Sequence, residues 1–366
     1  MFLTARLVGI FTYIVVLFMT LAAVRYVSER QTKYILWGYL AALCAMAYFY
    51  VPYITTDLYR HIPYAKYLAQ MSWREFFFLF FSHKAGLFTL IYFRFFAPCL
   101  STVTCAVVFG SMFYILWNSS KKIQVSRSVL MLALLWLMTN DFYLIAISNI
   151  RSYVAVAFVT FCIYRETFEH KFGLLNILLY VCAVEMHAMG IVLVGFRTLG
   201  YLVSSGKMSA WKFILIPMIL LALVFGIPLY QNLLVDSTDK FEDYYTRGHY
   251  NYIWERVIFS IQILVQGYIL FKAYMCRLFK EEMFAPYKVV VTMGFIVLFV
   301  CQIHVTFMQR WIIFSAILEV PVLLRLLQLE REQGRHQAMQ FLITTSLITF
   351  AFVCSRGNLC SLKFWE

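Results

Sequence analysis

Residues 149–204 read NIRSYVAVAFVTFCIYRETFEHKFGLLNILLYVCAVEMHAMGIVLVGFRTLGYLVS. Three apolar runs, 150–164, 172–186 and 188–204, follow one another with only short polar breaks. A helix that crosses the hydrocarbon core needs about 20 residues, fewer if it is short or broken. The runs sit near that lower limit, and their polar breaks carry Asn149, Arg151, Glu185 and His187. Ionisable groups at the edge of a span are expensive and usually mark function. This stretch therefore sets the class, a helical membrane protein, and points to where chemistry lies.

The rest of the 366-residue chain follows the same pattern. Hydrophobic residues make up 63% and charged residues 13%, and mean hydropathy is +0.77. A soluble domain is nearer half apolar and a quarter charged. Too little polar surface remains to cover a water-soluble globule, and the chain is not disordered, fibrous or disulfide-framed. Spans are predicted near 7–24, 34–53, 86–117, 128–148, 150–164, 172–186, 188–204, 213–231, 254–272, 288–307, 311–328 and 338–354. That is an all-α polytopic protein of about twelve helices. The run 86–117 is too long for one straight helix, so Pro98 kinks it or part of it lies in the interface. No low-complexity linker or clear tandem repeat breaks residues 1–366, and a single integral membrane domain is expected.

The N-terminal apolar run resembles a signal peptide only in length. Arg6 alone precedes it, and Arg25, Arg30 and Lys33 follow. That charge order suits a retained helix. Net charge is +13, from 31 Lys+Arg against 18 Asp+Glu. The bases sit singly or in pairs between apolar runs, where they orient the protein and meet membrane lipid head groups. No basic stripe or stacking platform suggests nucleic acid. Seventeen Lys and Arg fall in one alternate set of short connections, from Arg25 to Arg335. The positive-inside rule makes that side cytoplasmic and leaves both termini outside. None of the nine cysteines lies in a C-x-x-C pair, so a zinc ribbon is excluded. Cys354 and Cys360 flank a tail on the oxidising side, free or paired.

Three outer connections stand apart. Residues 54–85 carry Asp57, Arg60, His61, Lys66, Arg74, Glu75 and His83 among aromatics, and the second half reads as an amphipathic helix on the membrane. Residues 232–253 interleave carboxylates with Tyr244, Tyr245, Tyr250 and Tyr252, beside Arg247 and His249. Aromatic faces beside acids suit a sugar, whose C–H face stacks while its hydroxyls donate; a plain structural loop fits the same letters. The third is HVTFMQRW, with His304 and Arg310.

An outer arginine gains nothing from topology. Arg151 and Arg310 read as anion clamps, because guanidinium binds phosphate oxygens bidentately and keeps its charge; the alternative is snorkelling to head groups. His187 reads as a base or hydrogen-bond donor in a hydrated cavity, or as a polar hairpin tip. Asp57 caps an interfacial helix or orients a hydroxyl. Glu319 lies deeper in its span, paired or cavity-facing.

The order of these motifs resembles the EpsG/Wzy-type polysaccharide polymerases. SNIRSYVAVAFVTFCIYR followed by HKFGLLNILLYVCAVEMHAMGIVLVGFRTL is similar to that family's N-x-x-R-Q helix, basic turn and histidine between apolar runs. Asn149, Arg151 and His187 fall on its motif positions. Thr55–Asp57 resembles a G-T-D motif, and QRWIIFSAILEVPVLL resembles a late helix that ends in a proline, with Arg310 and Pro321 on the motif residues. The chain lacks the Arg and Gly of the family's R-Y-x-x-G-T-D string, with Arg60 as a substitute, and has Ser152 for Gln.

The resemblance implies a glycosyltransferase type C architecture in the bacterial cytoplasmic membrane. It implies polymerisation of oligosaccharide repeat units carried on undecaprenyl diphosphate, at the outer face, with a chain-length regulator as partner. Arg151, Arg310 and Arg60 would meet the diphosphate. Asp57 or His187 would handle the hydroxyl, and the loops 54–85 and 232–253 would hold sugars, through Tyr244, Tyr245, Arg247 and His249. Arginines can supply the charge a metal would, so neither metal nor cofactor is required. The rivals are a flippase of lipid-linked sugars, which should show paired repeats with broken helices, and a membrane O-acyltransferase, whose donor site would more naturally face cytoplasmic acyl-CoA. Single-cysteine labelling in a cysteine-free background should find residue 122 accessible only from the cytoplasm. Reaction only from outside would invert the whole map.

Overall fold

The computed structural model describes residues 2–52, 56–82, 86–204, 253–300, 305–355 and 362–363. Among them every regular element is helical: α1 Phe2–Tyr26, α2 Glu29–Tyr48, α3 Asp57–Gln70, α4 Trp73–Ser82, α5 Leu87–Phe96, α6 Leu100–Ile123, α7 Arg127–Met138, α8 Phe142–Ser148, α9 Ile150–Thr167, α10 Leu174–Met186, α11 Ala188–Ser204, α12 Ile253–Met275, α13 Ala285–Val300, α14 Val305–Glu332 and α15 Gln337–Ser355. Each marked apolar run meets a helix except 213–231, which lies outside the described residues.

Of the twelve expected spans, the described residues show a smaller number as helices of full crossing length. Among the described residues five stretches are long and apolar enough to cross a membrane: 7–26, 87–123, 256–275, 308–332 and 337–355. A sixth is α7 with α8, bent by 51° at a short break. The helices α10, α11 and α13 are apolar but shorter. At 1.5 Å per residue, the 13 residues of α10 reach only about 20 Å, against about 30 Å of hydrocarbon. The long run 86–117 is interrupted where Pro98 stands, by a single 3-10 turn at Ala97–Cys99. At Pro321 the expectation fails the other way. The helix does not end there but runs on to Glu332.

The chain divides into two compact units, each discontinuous in sequence. The first comprises residues 1–53, 101–148 and 252–366, the second 54–100 and 149–251. Four crossings with no linker composition explain why the sequence reads as one domain.

In the first unit α2 and α6 run antiparallel. Ser101 donates to the Ala47 carbonyl at 2.6 Å, Tyr39 stacks on Phe113, and the Lys33 ammonium lies 5.1 Å from the Trp117 ring. The Tyr13 hydroxyl ties α1 to α7 through the Met138 carbonyl. Nearly all of α14 is buried, and Ser315 donates to Gln266 of α12 at 2.6 Å. Glu319 is 1% exposed, and neither carboxylate oxygen has a hydrogen-bond partner among the described residues. At the end of α14, Arg325 grips Glu281 with Nε and Nη2.

In the second unit α10 and α11 form an antiparallel hairpin against α9. Its foot closes on Glu166. One carboxylate oxygen accepts from Arg197 Nε at 2.9 Å and from Tyr201 at 2.8 Å. The other accepts from Tyr180 at 3.0 Å and from Asn176 at 3.2 Å. Arg197 Nη2 also lies 2.9 Å from Glu166, both side chains being essentially inaccessible. The guanidinium packs over Tyr201, 4.4 Å from its centroid. Neither Glu166 nor Arg197 stands out in the sequence reading, although an arginine inside an apolar run was a usable signal.

Breaking one side of such a pair leaves a buried charge and costs about 3–5 kcal/mol. Arg197→Met should therefore lower the melting temperature of the detergent-solubilised protein sharply. The double variant with Glu166→Gln should recover part of the loss. Unchanged melting of the single variant would show that the pair does not hold the hairpin.

Candidate functional site

A cluster of ionisable groups forms in the second unit where α3 packs on α5, within the field of Arg151 at the start of α9. Thr56 caps α3, its hydroxyl accepting from the Tyr59 N–H. Asp57 is therefore not the cap but the first helical residue, where a carboxylate suits the helix dipole. It pairs with Arg60 one turn on. Arg60 is 65% exposed and Asp57 24%, so solvent weakens the pair and leaves the carboxylate engaged but reachable.

Asp57, His61 and Tyr64 follow at i, i+4 and i+7, on one face of α3. Phe93 of α5 touches two of them, with ring centroids 5.0 Å from His61 and 6.0 Å from Tyr64. The charge of Arg151, in the first turn of α9, acts on both. Burial, then the Arg151 charge, pushes His61 down to about 4, with Arg60 adding and Asp57 opposing. At neutral pH the imidazole is uncharged. Burial raises the Tyr64 phenol, and Arg151 opposes that rise. Asn149 holds the N-cap position of α9, its carbonyl accepting from Tyr153.

Behind the cluster, Arg94 of α5 donates to the Leu68 carbonyl at 3.0 Å. Its guanidinium lies 4.1 Å from the Trp73 ring centroid. That contact fixes the corner between α3 and α4. A reciprocal cap between Ser72 and Glu75 starts α4. Phe77, Phe78 and Phe81 of α4 are exposed, the pattern expected of a helix that lies in the interface.

The tip of the α10–α11 hairpin carries Glu185 and His187. Because α9 and α10 run antiparallel, with Glu166 beside Tyr180, this tip lies at the Arg151 end. The Glu185 carboxylate faces the N-terminus of α5, near the N–H groups of Leu87 and Phe88, and its Oε2 has no hydrogen-bond partner among the described residues. Thr89 donates to the Glu185 carbonyl at 2.7 Å. Gly86 is required there, since a Cβ would fall 2.3 Å from the Glu185 carboxylate. His187 has extended backbone, φ −163° and ψ 148°. Its Nδ1 accepts the Met189 N–H at 2.9 Å, which caps α11. In the neutral ring Nε2 then carries the hydrogen. With Nδ1 occupied as an acceptor, of the two roles expected of His187 the geometry favours donor over base.

Arg310 is half-buried near the start of α14, in the first unit, whereas Arg151 is in the second. Tyr244, Tyr245, Arg247 and His249, like His304, lie outside the described residues, as does Cys360. Among the described residues no group of three or more His, Cys, Asp or Glu is placed to hold a metal ion. An apolar groove in the first unit, lined by Ile261, Leu264, Tyr268, Phe341, Thr345 and Ile348, holds none of this chemistry.

In comparison with known proteins, no family model matches the chain, and neither does any curated protein or solved structure.

If His187 acts as a cap, an N-cap residue should replace it. His187→Asn should melt near wild type, and His187→Ala should lose about 0.5–2 kcal/mol. Equal loss in both, measured by thermal unfolding, would show that the imidazole serves otherwise.

Proposed function

We propose that the protein polymerises oligosaccharide repeat units carried on a polyprenyl diphosphate, at the outer face of the bacterial cytoplasmic membrane. The observation that supports this most is the cluster of Arg151, His61, Tyr64 and the Asp57–Arg60 pair in a helical membrane protein. A permanent cation beside neutral hydrogen-bonding groups suits a lipid-linked diphosphate next to an attacking sugar hydroxyl. In the proposed step the acceptor oxygen attacks the anomeric carbon of the donor, and the diphosphate leaves with the bonding electrons. Arg151 takes up the charge that builds on it. In this reading Arg310 and the 232–253 loop are further proposed anion and sugar contacts of the protein. The glycosyltransferase type C arrangement with about twelve crossings, which counts the short helices as crossings, is part of the same proposal.

One observation favours a second reading, a flippase of lipid-linked sugars. The α7–α8 span is broken at residues 139–141, and Thr139, Asn140 and Asp141 are buried there. Discontinuous helices with polar breaks are what transporters use to hold cargo. Lipid-carrier analysis of a deletion strain separates the two. Single repeat units exposed outside support polymerisation, and units trapped on the cytoplasmic side support flipping.

A charge-assisted arginine–phosphate contact is worth about 1.5–3 kcal/mol, more as charge develops on the leaving group. Arg151→Ala should slow polymerisation of purified lipid-linked units by about 10²-fold, at roughly 1.4 kcal/mol per decade. Lys should restore only part, being a point charge in place of a planar fork. A near-normal rate for a well-folded Arg151→Ala protein would leave the arginine a head-group anchor.

A further inference from the structure

Polymerisation, as proposed above, leaves one proton to place: the hydrogen of the acceptor hydroxyl. Asp57 is engaged by Arg60, and His187 uses its Nδ1 lone pair on the Met189 N–H. His61 is free of both limits. It stands one turn from Asp57 on the same face of α3, in ring contact with Phe93, and under the charge of Arg151.

We propose that His61 accepts the acceptor-hydroxyl proton, and that a diphosphate seated against Arg151 switches it on. This rests on the polymerase reading. The acceptor oxygen forms a bond to the anomeric carbon, and the bond from that carbon to the diphosphate oxygen breaks. The diphosphate leaves with the electron pair, the proton moves to the unprotonated ring nitrogen of His61, and the imidazolium then releases it to water.

The switch follows from the charges around the ring. Without substrate, burial and the cations hold His61 near 4, so it is neutral but a poor base. The groups that face it are Asp57 and Arg60 on its own helix, Arg151 on α9, and the apolar Phe93 on α5. Of the ionisable side chains of α5, Arg94 turns to Leu68 and Trp73, and the Tyr92 hydroxyl donates to the Leu100 carbonyl. An anion on Arg151 cancels one unfavourable charge and adds a favourable one. Both effects raise the basicity of His61 toward the ordinary imidazole value of about 6.5. The group thus gains strength only when the leaving group is in place.

The test compares polymerisation of lipid-linked repeat units by wild type and His61→Gln across acid to neutral pH, with folding checked by melting. Wild type should lose rate on the acid side, and His61→Gln should be slower by about 10²-fold and lack that limb. An equal rate with the same limb in His61→Gln overturns the assignment to His61. Absence of polymer from wild type itself overturns the polymerase reading instead. Should the variant not fold, carbethoxylation of His61 in wild type gives the answer, read by mass spectrometry with and without inorganic diphosphate. Reaction should stay flat to about pH 5 without the anion and begin to fall at a higher pH with it. An identical pH dependence in both overturns the switch.

Discussion

The buried carboxylate of Glu166 is the contact on which the second unit depends. A charged acid in an apolar interior is costly unless paired and fully hydrogen-bonded. Here two tyrosines, one asparagine and one arginine donate to it. Those donors come from α10 and α11, so the network joins both arms of the hairpin to α9 in one geometry. Sliding either arm would orphan several donors at once. The foot of the hairpin is therefore fixed by polar satisfaction, because apolar packing in lipid does not by itself choose a register. Polar contacts hold the tip as well, the Glu185 carbonyl accepting from Thr89 of α5 and His187 capping α11.

Much of the helical layout was legible. Apolar runs located the helices, and Pro98 located a real interruption. Helix length was less legible, because hydropathy reports apolar content while crossing also requires length. The runs 172–186 and 188–204 are mostly apolar yet make short helices, 13 residues in the case of α10. Two units were hidden as well, since the chain passes between them at ordinary helix ends such as Leu100 and Ser148.

The site was partly legible. Arg151 was conspicuous as a base where topology does not favour one, and Asp57 and Arg60 as charges beside a span. His61 was visible only as one ionisable residue among several in a loop. What distinguishes it is Phe93, 32 residues away in the chain, and Arg151, 90 residues away. The same limit applies to Glu185 and His187. Spacing placed them at a hairpin tip, but their contacts with helix N-termini depend on which helix begins beside them. Pro321 shows the opposite error. A proline suggests a helix end, but α14 is held by buried contacts on all sides and carries the kink penalty through to Glu332.

The short hairpin also constrains where water reaches. Its arms span less than the hydrocarbon thickness, so a tip with Glu185 and His187 cannot reach the far surface if its foot lies at the near one. Groups of that polarity do not face lipid tails. The tip must then open to a hydrated recess or to a locally thinned bilayer. Arg151 lies at the same end, and an anion bound there would sit below the head-group plane, where Coulomb interactions are stronger than in bulk water. A lipid-linked diphosphate enters such a recess along the membrane without leaving its acyl environment, whereas a soluble anion would have to shed its hydration to reach the same depth. Under the proposed function, a hairpin tip at that depth suits a lipid-borne substrate better than a dissolved one.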